Sequence, residues 1–390
     1  MKNIFTGSHE RILDYTTFLL TVSFQLTLPI LPIYLYAILG ASEQEVGVII
    51  ALASISSAVT RIPSSILVMR ENALRIFILS VGLNTISLIG YTLSADPWTL
   101  AFFRILHGIS FALSYTLMLS FASLIVRPDG VSKSIMNYTA SLALGLWIGP
   151  ATGVLLSSFL DLRMLILSAA LISLAPISLA IAFTKKRPKF WGDIYYSKAG
   201  ADVFKVLLKG PLILPTALHF LYSTVIGALF AYAPLKASNI FGIPDQLVIF
   251  IFTGYYFIAF VLRIILSRPI PRLGDVTLLR IAMASCALGI FIAGIAQDVW
   301  LFVLGIFLVA VAQGLAFPIT AIMMAHVAPP NLRIIGNAIY LTSWDLGGLL
   351  GPIMVASLLY FAPLSMALAA TSIFAAISLF LIGKIAEILE

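Results

Sequence analysis

Charged residues are scarce in this chain and make up only 10% of its 390 residues. Soluble domains carry about a quarter charged residues, so most of this chain does not face water. Cysteine is scarcer still, because Cys286 is the only one, and a disulfide-stapled secreted scaffold is therefore excluded. The four histidines are scattered along the chain. We therefore predict neither a metal site nor a cofactor.

Apolar residues are abundant: 61% of the chain is hydrophobic and the mean hydropathy is +1.08. A helix needs about 20 apolar residues to cross a bilayer, and twelve runs are long enough. Short alternating strands are missing, which excludes a transmembrane barrel. The sequence predicts an all-α membrane protein with twelve transmembrane helices, numbered here as spans 1 to 12: 12–38, 46–69, 74–94, 98–126, 134–159, 163–184, 211–238, 246–268, 278–296, 300–327, 334–360 and 363–384.

The breaks between the spans alternate in charge. Those after odd-numbered spans carry acids, such as Glu43, Asp96 and Asp298, and those after even-numbered spans carry Lys and Arg. Because basic loops stay inside, both termini are expected in the cytoplasm. The net charge of +7 thus belongs to loops and does not indicate a nucleic-acid partner. We expect a multi-pass protein of a prokaryotic plasma membrane, with nothing cleaved from its N-terminus.

One polar segment, 185–210, divides the chain. It predicts an N-terminal six-helix bundle over 1–184, a cytoplasmic linker, and a C-terminal six-helix bundle over 211–390. The linker is either a strip at the lipid interface, as Trp191 and Tyr195 among lysines indicate, or a solvated connection.

The two halves repeat each other with a shift of 202 residues, the separation of Gly40 from Gly242. Six spans is an even number, so both copies have the same orientation. Parallel repeats of this kind enclose a substrate cavity and rock about it, which predicts transport by alternating access. The matching rare residues include Pro32 with Pro234, Arg61 with Arg263, Arg70 with Arg272, Asp96 with Asp298, Gly145 with Gly347, Gly149 with Gly351, and Pro150 with Pro352.

Arg104-Ile-Leu-His107-Gly108 in span 4 is similar to the Arg-x-x-Gln-Gly signature of the major facilitator superfamily, with His in the Gln place, and the resemblance extends over essentially the whole chain. Gly145-x-x-x-Gly149-Pro150 in span 5 looks like the signature of the proton-driven efflux branch, and span 11 partly echoes it. The loop after span 2 departs from the family pattern, since Arg70 is kept while the glycines and the Asp are lost. The resemblance implies a secondary transporter and favours proton-coupled export.

Ionisable residues inside spans are functional candidates by default. Asp345 lies roughly 18 Å into span 11 at ~1.5 Å per residue, a depth at which burial penalises the carboxylate and suits a proton carrier. An Asp held ionised by an Arg, or one capping a helix irregularity, is the alternative. By resemblance, Arg104 belongs to the proton-handling set, and His107 is either part of that set or a buried neutral histidine.

Two further groups have a structural expectation. The paired arginines Arg61 and Arg263 are expected to bond carbonyls or to snorkel, with substrate binding or pairing with Asp345 as alternatives. Arg70 and Arg272 are expected to have a gating or structural role, and Lys236 is expected to snorkel at the external end of span 7. The paired glycines and prolines of spans 5 and 11 are expected to allow close helix packing and gating.

The resemblance places spans 1, 4, 7 and 10 around the cavity. Residues at mid-depth in these spans and their neighbours are aromatic or neutral and polar, which favours an amphipathic or mildly polar substrate. An aromatic residue within a span, taken singly, is more often part of the packed core than a ligand contact. The candidates are Gln25, Tyr115, His219, Tyr222, Tyr255, Gln313, Phe317 and Trp344.

The motifs of common enzymes are missing from the sequence, so we predict that the chain is not an enzyme. Our first hypothesis is a proton-coupled exporter of a small amphipathic drug or metabolite. The alternatives are an importer or facilitator of sugars or small metabolites, and a non-transporting receptor on the same fold. The expected partners are a small-molecule substrate, protons and membrane lipids, and a monomer is sufficient for the mechanism.

Overall fold

The computed structural model describes residues 8–27, 31, 34–41, 43–67, 72–124, 130–156, 159–185, 210–266, 274–328 and 333–389. Within these ranges every regular element is helical. A π-helical turn, Tyr34–Ile38, follows the first α-helix. The α-helices are α1 Ser8–Thr27, α2 Glu43–Leu67, α3 Ala73–Leu93, α4 Pro97–Leu124, α5 Val131–Leu156, α6 Leu162–Ile172, α7 Leu174–Lys185, α8 Gly210–Asn239, α9 Asp245–Leu266, α10 Asp275–Ile295, α11 Val299–Val327, α12 Arg333–Leu358, α13 Leu364–Ala370 and α14 Ser372–Leu389.

The predicted all-helical, multi-span architecture is confirmed, with two differences in detail. Among the described residues, ten helical stretches are long and apolar enough to cross a membrane, and a shorter apolar helix covers Phe250–Ile265. The first predicted span includes α1 and the π-helical turn, and most residues between them lie outside the described ranges. Span 6 divides into α6 and α7 at Ser173, and span 12 divides into α13 and α14 at Thr371. The breaks in spans 6 and 12 each involve a single residue, which apolar content alone does not reveal.

The internal repeat is visible in the turn that follows the first span of each half. Gly40 has φ of 72° and Gly242 has φ of 64°, a left-handed conformation that only glycine adopts at little cost. The Ala41 N–H donates to the Leu35 carbonyl at 3.0 Å, and the Ile243 N–H donates to the Ala237 carbonyl at 3.0 Å. The same turn therefore occurs twice, 202 residues apart.

The repeat also governs how the fifth span packs on the first. A Cβ added to Gly145 would lie 2.9 Å from the Phe18 carbonyl oxygen, and one added to Gly347 would lie 2.5 Å from the Phe220 carbonyl oxygen. One turn further on, Gly149 and Gly351 face the backbones of α1 and α8 in the same way. Small residues at these four positions permit the close approach of α5 to α1 and of α12 to α8.

The chain forms two compact units. Unit 1 comprises Met1–Leu212 and Met324–Thr342, and unit 2 comprises Ile213–Met323 and Ser343–Glu390. The end of α11 and the beginning of α12 thus belong to unit 1. In unit 1, an apolar core joins α1, α2, α3, α4 and α6 through residues such as Leu26, Ile49, Leu88, Leu100 and Leu165. The division into two six-helix bundles at 184 and 211 stays a prediction.

Candidate functional site

A buried polar cluster in unit 2 is centred on Gln313 of α11. Its Oε1 accepts hydrogen bonds from the Tyr222 hydroxyl of α8 and, at 3.5 Å, from the Tyr255 hydroxyl of α9. Nη2 of Arg263, also on α9, donates to the Gln313 backbone carbonyl at 2.8 Å. One glutamine therefore links three helices and presents its amide beside two tyrosine rings.

Aromatic rings continue this cluster along α8, α11 and α12. The His219 ring is stacked on Trp344 at a centroid distance of 5.4 Å and lies 5.5 Å from Phe317. Trp344 also lies 6.0 Å from Tyr222. Nδ1 of His219 is 3.2 Å from the Ser343 hydroxyl. The result is a set of apolar faces with a few fixed hydrogen-bonding groups, which is the composition of small-molecule sites.

Six of the eight predicted cavity residues are brought together in this way, and we call them the unit 2 cluster: His219, Tyr222, Tyr255, Gln313, Phe317 and Trp344. The other two lie in unit 1. Tyr115 donates to the Thr21 hydroxyl at 3.0 Å, and Gln25 lies half-buried where Gly149 approaches α1.

Asp345 belongs to unit 2 and follows Trp344 in α12. It is 5% exposed, so the carboxyl group lies inside the protein. Arg104 and His107, the other predicted proton-coupling residues, lie in unit 1. The predicted proton-handling set is therefore divided between the units.

Arg104 and His107 meet at a third residue, Tyr91 of α3. The Tyr91 hydroxyl is 2.7 Å from Nδ1 of His107, and Nη1 of Arg104 lies 3.5 Å from the same oxygen. All three side chains are buried, and the Phe24 ring covers His107 at 4.1 Å. The sequence analysis missed Tyr91, because a tyrosine near the end of a span is usually an interfacial anchor.

The paired arginines make equivalent contacts in the two units. The Arg61 guanidinium lies 4.9 Å from the Phe111 ring and donates to the Thr116 hydroxyl at 3.1 Å. Arg263 lies 5.4 Å from the Phe317 ring, in addition to its bond to Gln313. Each arginine therefore bonds to the fourth span of its own repeat. Both side chains are buried, so neither snorkels to the surface. Arg70 and Arg272 lie outside the described residues.

Lys236 does not snorkel either, and that expectation was wrong. Its side chain is fully buried. Nζ donates to the carbonyls of Ala293 at 2.9 Å and Ala296 at 3.1 Å, and also to that of Gly294. The ammonium group thus caps the C-terminal end of α10, where helix carbonyls lack partners and the helix dipole favours a cation.

The end of α11 and the beginning of α12 contact α4 and α5 within unit 1. Nη1 of Arg333 donates to the Ser123 carbonyl at 2.6 Å, and Nδ2 of Asn337 donates to the Ser120 hydroxyl at 3.1 Å. Nε2 of His326 is 3.0 Å from the Ser132 hydroxyl.

In the described parts of the chain, no three His, Cys, Asp or Glu side chains come together as a metal site would require.

The fold and motifs agree with a comparison against protein families. The family model of the Major Facilitator Superfamily matches residues 15–244 and 216–387. The chain belongs to the Major Facilitator Superfamily. Members of this superfamily are transporters, and the multi-pass membrane architecture follows from the family and from the apolar helices. A comparison with curated protein sequences gave no match.

Solved structures of the superfamily share the fold across nearly the whole chain. The human organic anion transporter MFSD10 is 16% identical, with a TM-score of 0.78 over 97% of this chain and 100% of its own. The proton:xylose symporter XylE is 13% identical, with a TM-score of 0.78 over 97% of this chain and 96% of its own. The E. coli fucose:proton symporter FucP is 15% identical, with a TM-score of 0.77 over 96% of this chain and 98% of its own. At such identities the likeness establishes the fold only.

Proposed function

We propose that this chain is a secondary active transporter that works by alternating access and exports a small amphipathic compound in exchange for protons. The observation that carries the proposal is the unit 2 cluster: stacked rings and a glutamine bonded to two tyrosines, with buried Asp345 next in the chain to Trp344. Rings provide faces for an apolar substrate, while the amide and hydroxyls orient its polar end. Export follows from the resemblance of Gly145-x-x-x-Gly149-Pro150 to the signature of the efflux branch.

Asp345 is the proposed proton carrier. It accepts a proton when the substrate site opens to the outside and releases that proton when the site faces the cytoplasm. Its counterpart in the first repeat is Ala143, so a carboxyl group at this depth is no requirement of the helix itself. Arg104 and His107 of unit 1 are also proposed to take part in proton coupling.

A sugar:proton symporter is the second candidate. The similar structures include symporters of xylose and fucose. In the unit 2 cluster, Gln313 beside Tyr222, Tyr255 and Trp344 offers hydrogen bonds next to aromatic faces, an arrangement that also suits a sugar ring.

A thermal-shift screen of the purified protein separates these candidates, because a ligand that binds only the folded state raises the melting temperature. We would test lipophilic cations, sugars, amino acids and organic acids at two pH values. The proposal predicts a pH-dependent rise with amphipathic compounds. A rise confined to sugars and insensitive to pH would contradict proton-coupled export of an amphipathic compound.

Trp344 and Trp300 give a matched pair of variants for the screen. Both lie in unit 2, but Trp300 is 83% exposed whereas Trp344 packs against His219 and Tyr222. Trp344→Leu should abolish the ligand-induced rise, and Trp300→Leu should keep it. Equal ligand-induced rises in melting temperature in the two variants would show that the substrate does not bind at the unit 2 cluster.

A further inference from the structure

We propose that Tyr91 is a positioning residue that fixes the tautomer of His107 and links it to Arg104. This inference rests on the proposed role of Arg104 and His107 in proton transfer. It starts from the geometry of one buried hydroxyl group, which is 2.7 Å from Nδ1 of His107 and 3.5 Å from Nη1 of Arg104.

The direction of these hydrogen bonds follows from the chemistry of the three groups. A guanidinium group has only donors, so Arg104 must donate to the Tyr91 oxygen. Tyr91 is buried, and among the described residues Nδ1 of His107 is the one neighbour that can accept its hydroxyl hydrogen, so Nδ1 acts as acceptor. A neutral imidazole that accepts at Nδ1 carries its hydrogen on Nε2. The contacts therefore select one of the two neutral tautomers.

The opposite nitrogen of His107 carries the hydrogen in this tautomer. Nε2 is buried and has no hydrogen-bond partner among the described residues. Nε of Arg104 is likewise unmatched within the described parts of the chain. Buried donors without partners are uncommon in folded proteins and call for an explanation. In this tautomer His107 gains a proton at Nδ1, where its lone pair lies, and can release the one on Nε2, so the unpartnered Nε2 hydrogen is the proton that it gives up.

Protonation of His107 would also change the hydrogen bonding of Arg104. An imidazolium donates at Nδ1, so the Tyr91 oxygen would then face two donors, and its own hydrogen would have to turn to another acceptor. Tyr91 thus converts a change at His107 into a change in the hydrogen bonding of Arg104.

A comparison of the two repeats shows whether folding requires polar residues at these three positions. A shift of 202 residues places Tyr91 on Ala293, Arg104 on Ile306 and His107 on Val309. Unit 2 forms the corresponding helices, α10 and α11, with apolar side chains at all three places. The helix pair therefore folds without the three polar groups, which favours a functional reason for them in unit 1.

Nitrogen NMR of the full-length protein labelled with ¹⁵N-histidine tests the proposal directly. The chain has four histidines, so a His107→Gln spectrum identifies the His107 signals by their loss. At neutral pH we expect a single His107 tautomer with hydrogen on Nε2. A wild-type His107 with hydrogen on Nδ1 would overturn the proposal.

Two variants remove the two links separately. Tyr91→Phe removes the donor to Nδ1, and Arg104→Gln removes the cation that orients the hydroxyl group, so each should convert the single tautomer into a mixture. Tyr34→Phe is the control, because it removes another buried tyrosine hydroxyl of unit 1, bonded to Nε of Arg163 at 3.3 Å. Unchanged His107 signals in folded Tyr91→Phe or Arg104→Gln would overturn the proposal. The ligand screen does not enter this measurement, so failure of the proposed transport function would be seen separately.

Discussion

The two repeats agree in some regions and differ in others, and the difference separates architecture from chemistry. They share the left-handed turns at Gly40 and Gly242. They also share Arg61 and Arg263, each of which bonds to the fourth span of its own repeat. They differ where unit 1 has Arg104 and unit 2 has Asp345. Shared features are what a six-helix bundle needs twice, whereas features present once are candidates for substrate and proton handling.

The helix crossings give the largest stability effect that distinguishes the repeats. A Cβ at Gly351 would meet the backbone of Thr224 and lie 2.7 Å from the Ala228 nitrogen. At Gly149 the first atom met is the Gln25 Cβ, at 2.8 Å, and the backbone atoms lie at 3.1 and 3.2 Å. Gly351→Ala should therefore cost about 3 kcal/mol or more and Gly149→Ala less, since overpacking costs roughly 1–3 kcal/mol.

Melting temperatures of the two alanine variants in the same detergent test this expectation. A lower melting temperature for Gly149→Ala than for Gly351→Ala would show that the α8–α12 crossing is not the tighter one.

Lys236 gives an effect of intermediate size. It occupies the place of Tyr34 in the repeat and caps three carbonyls at the end of α10. Lys236→Met should lower the free energy of unfolding by about 1–3 kcal/mol, because carbonyls that lose a partner stay buried. The matched variant Tyr34→Phe loses one hydrogen bond and should cost about 1 kcal/mol. Chemical unfolding of both variants checks the order, and equal losses would argue that Lys236 adds nothing beyond one hydrogen bond.

The loop acids that begin the fourth spans give the smallest effect. Asp96 accepts from the Thr99 hydroxyl and from the backbone N–H groups of Trp98 and Thr99, each at 2.9 Å, and these bonds lower the pKa of Asp96. Asp298 accepts from the Leu301 N–H at 2.9 Å, and Leu301 occupies the place of Thr99 without a hydroxyl group. Asp96→Asn should therefore lower the melting temperature slightly more than Asp298→Asn.

The Asp96 effect should depend on pH in a definite direction. Because its folded pKa is depressed, the stabilisation is complete above the usual Asp value near 3.9 and is lost as the pH falls through the folded value. The melting-temperature difference between wild type and Asp96→Asn should thus shrink in acid. A difference that grows as the pH falls would contradict this assignment.

The sequence predicts the spans and the repeat well, because both depend on quantities that a linear chain displays. Apolar runs fix where helices cross the membrane, and Gly40 with Gly242 marks a turn that must recur. Depth along a span was enough to collect the six residues of the unit 2 cluster. Depth is a one-dimensional quantity, however, and does not say which way a side chain faces.

What the sequence could not predict are the partners across helices. Tyr91 meets His107 only because α3 packs on α4, and no motif joins the two residues. Lys236 was expected at the surface because a lysine near a span end usually snorkels, yet it finds three carbonyls on α10. Both misses concern long polar side chains, whose reach allows several partners until packing selects one.

The central claim is that proton-coupled transport depends on Asp345 in unit 2. The direct test is pH-driven flux in proteoliposomes, using the amphipathic compound that gives the largest thermal shift. Asp345→Asn should reduce this flux about 100-fold, the lower end of what a positioned proton-transfer group contributes. Asp298→Asn, an exposed acid of the same unit, should keep it. Full pH-driven flux in Asp345→Asn would contradict the account.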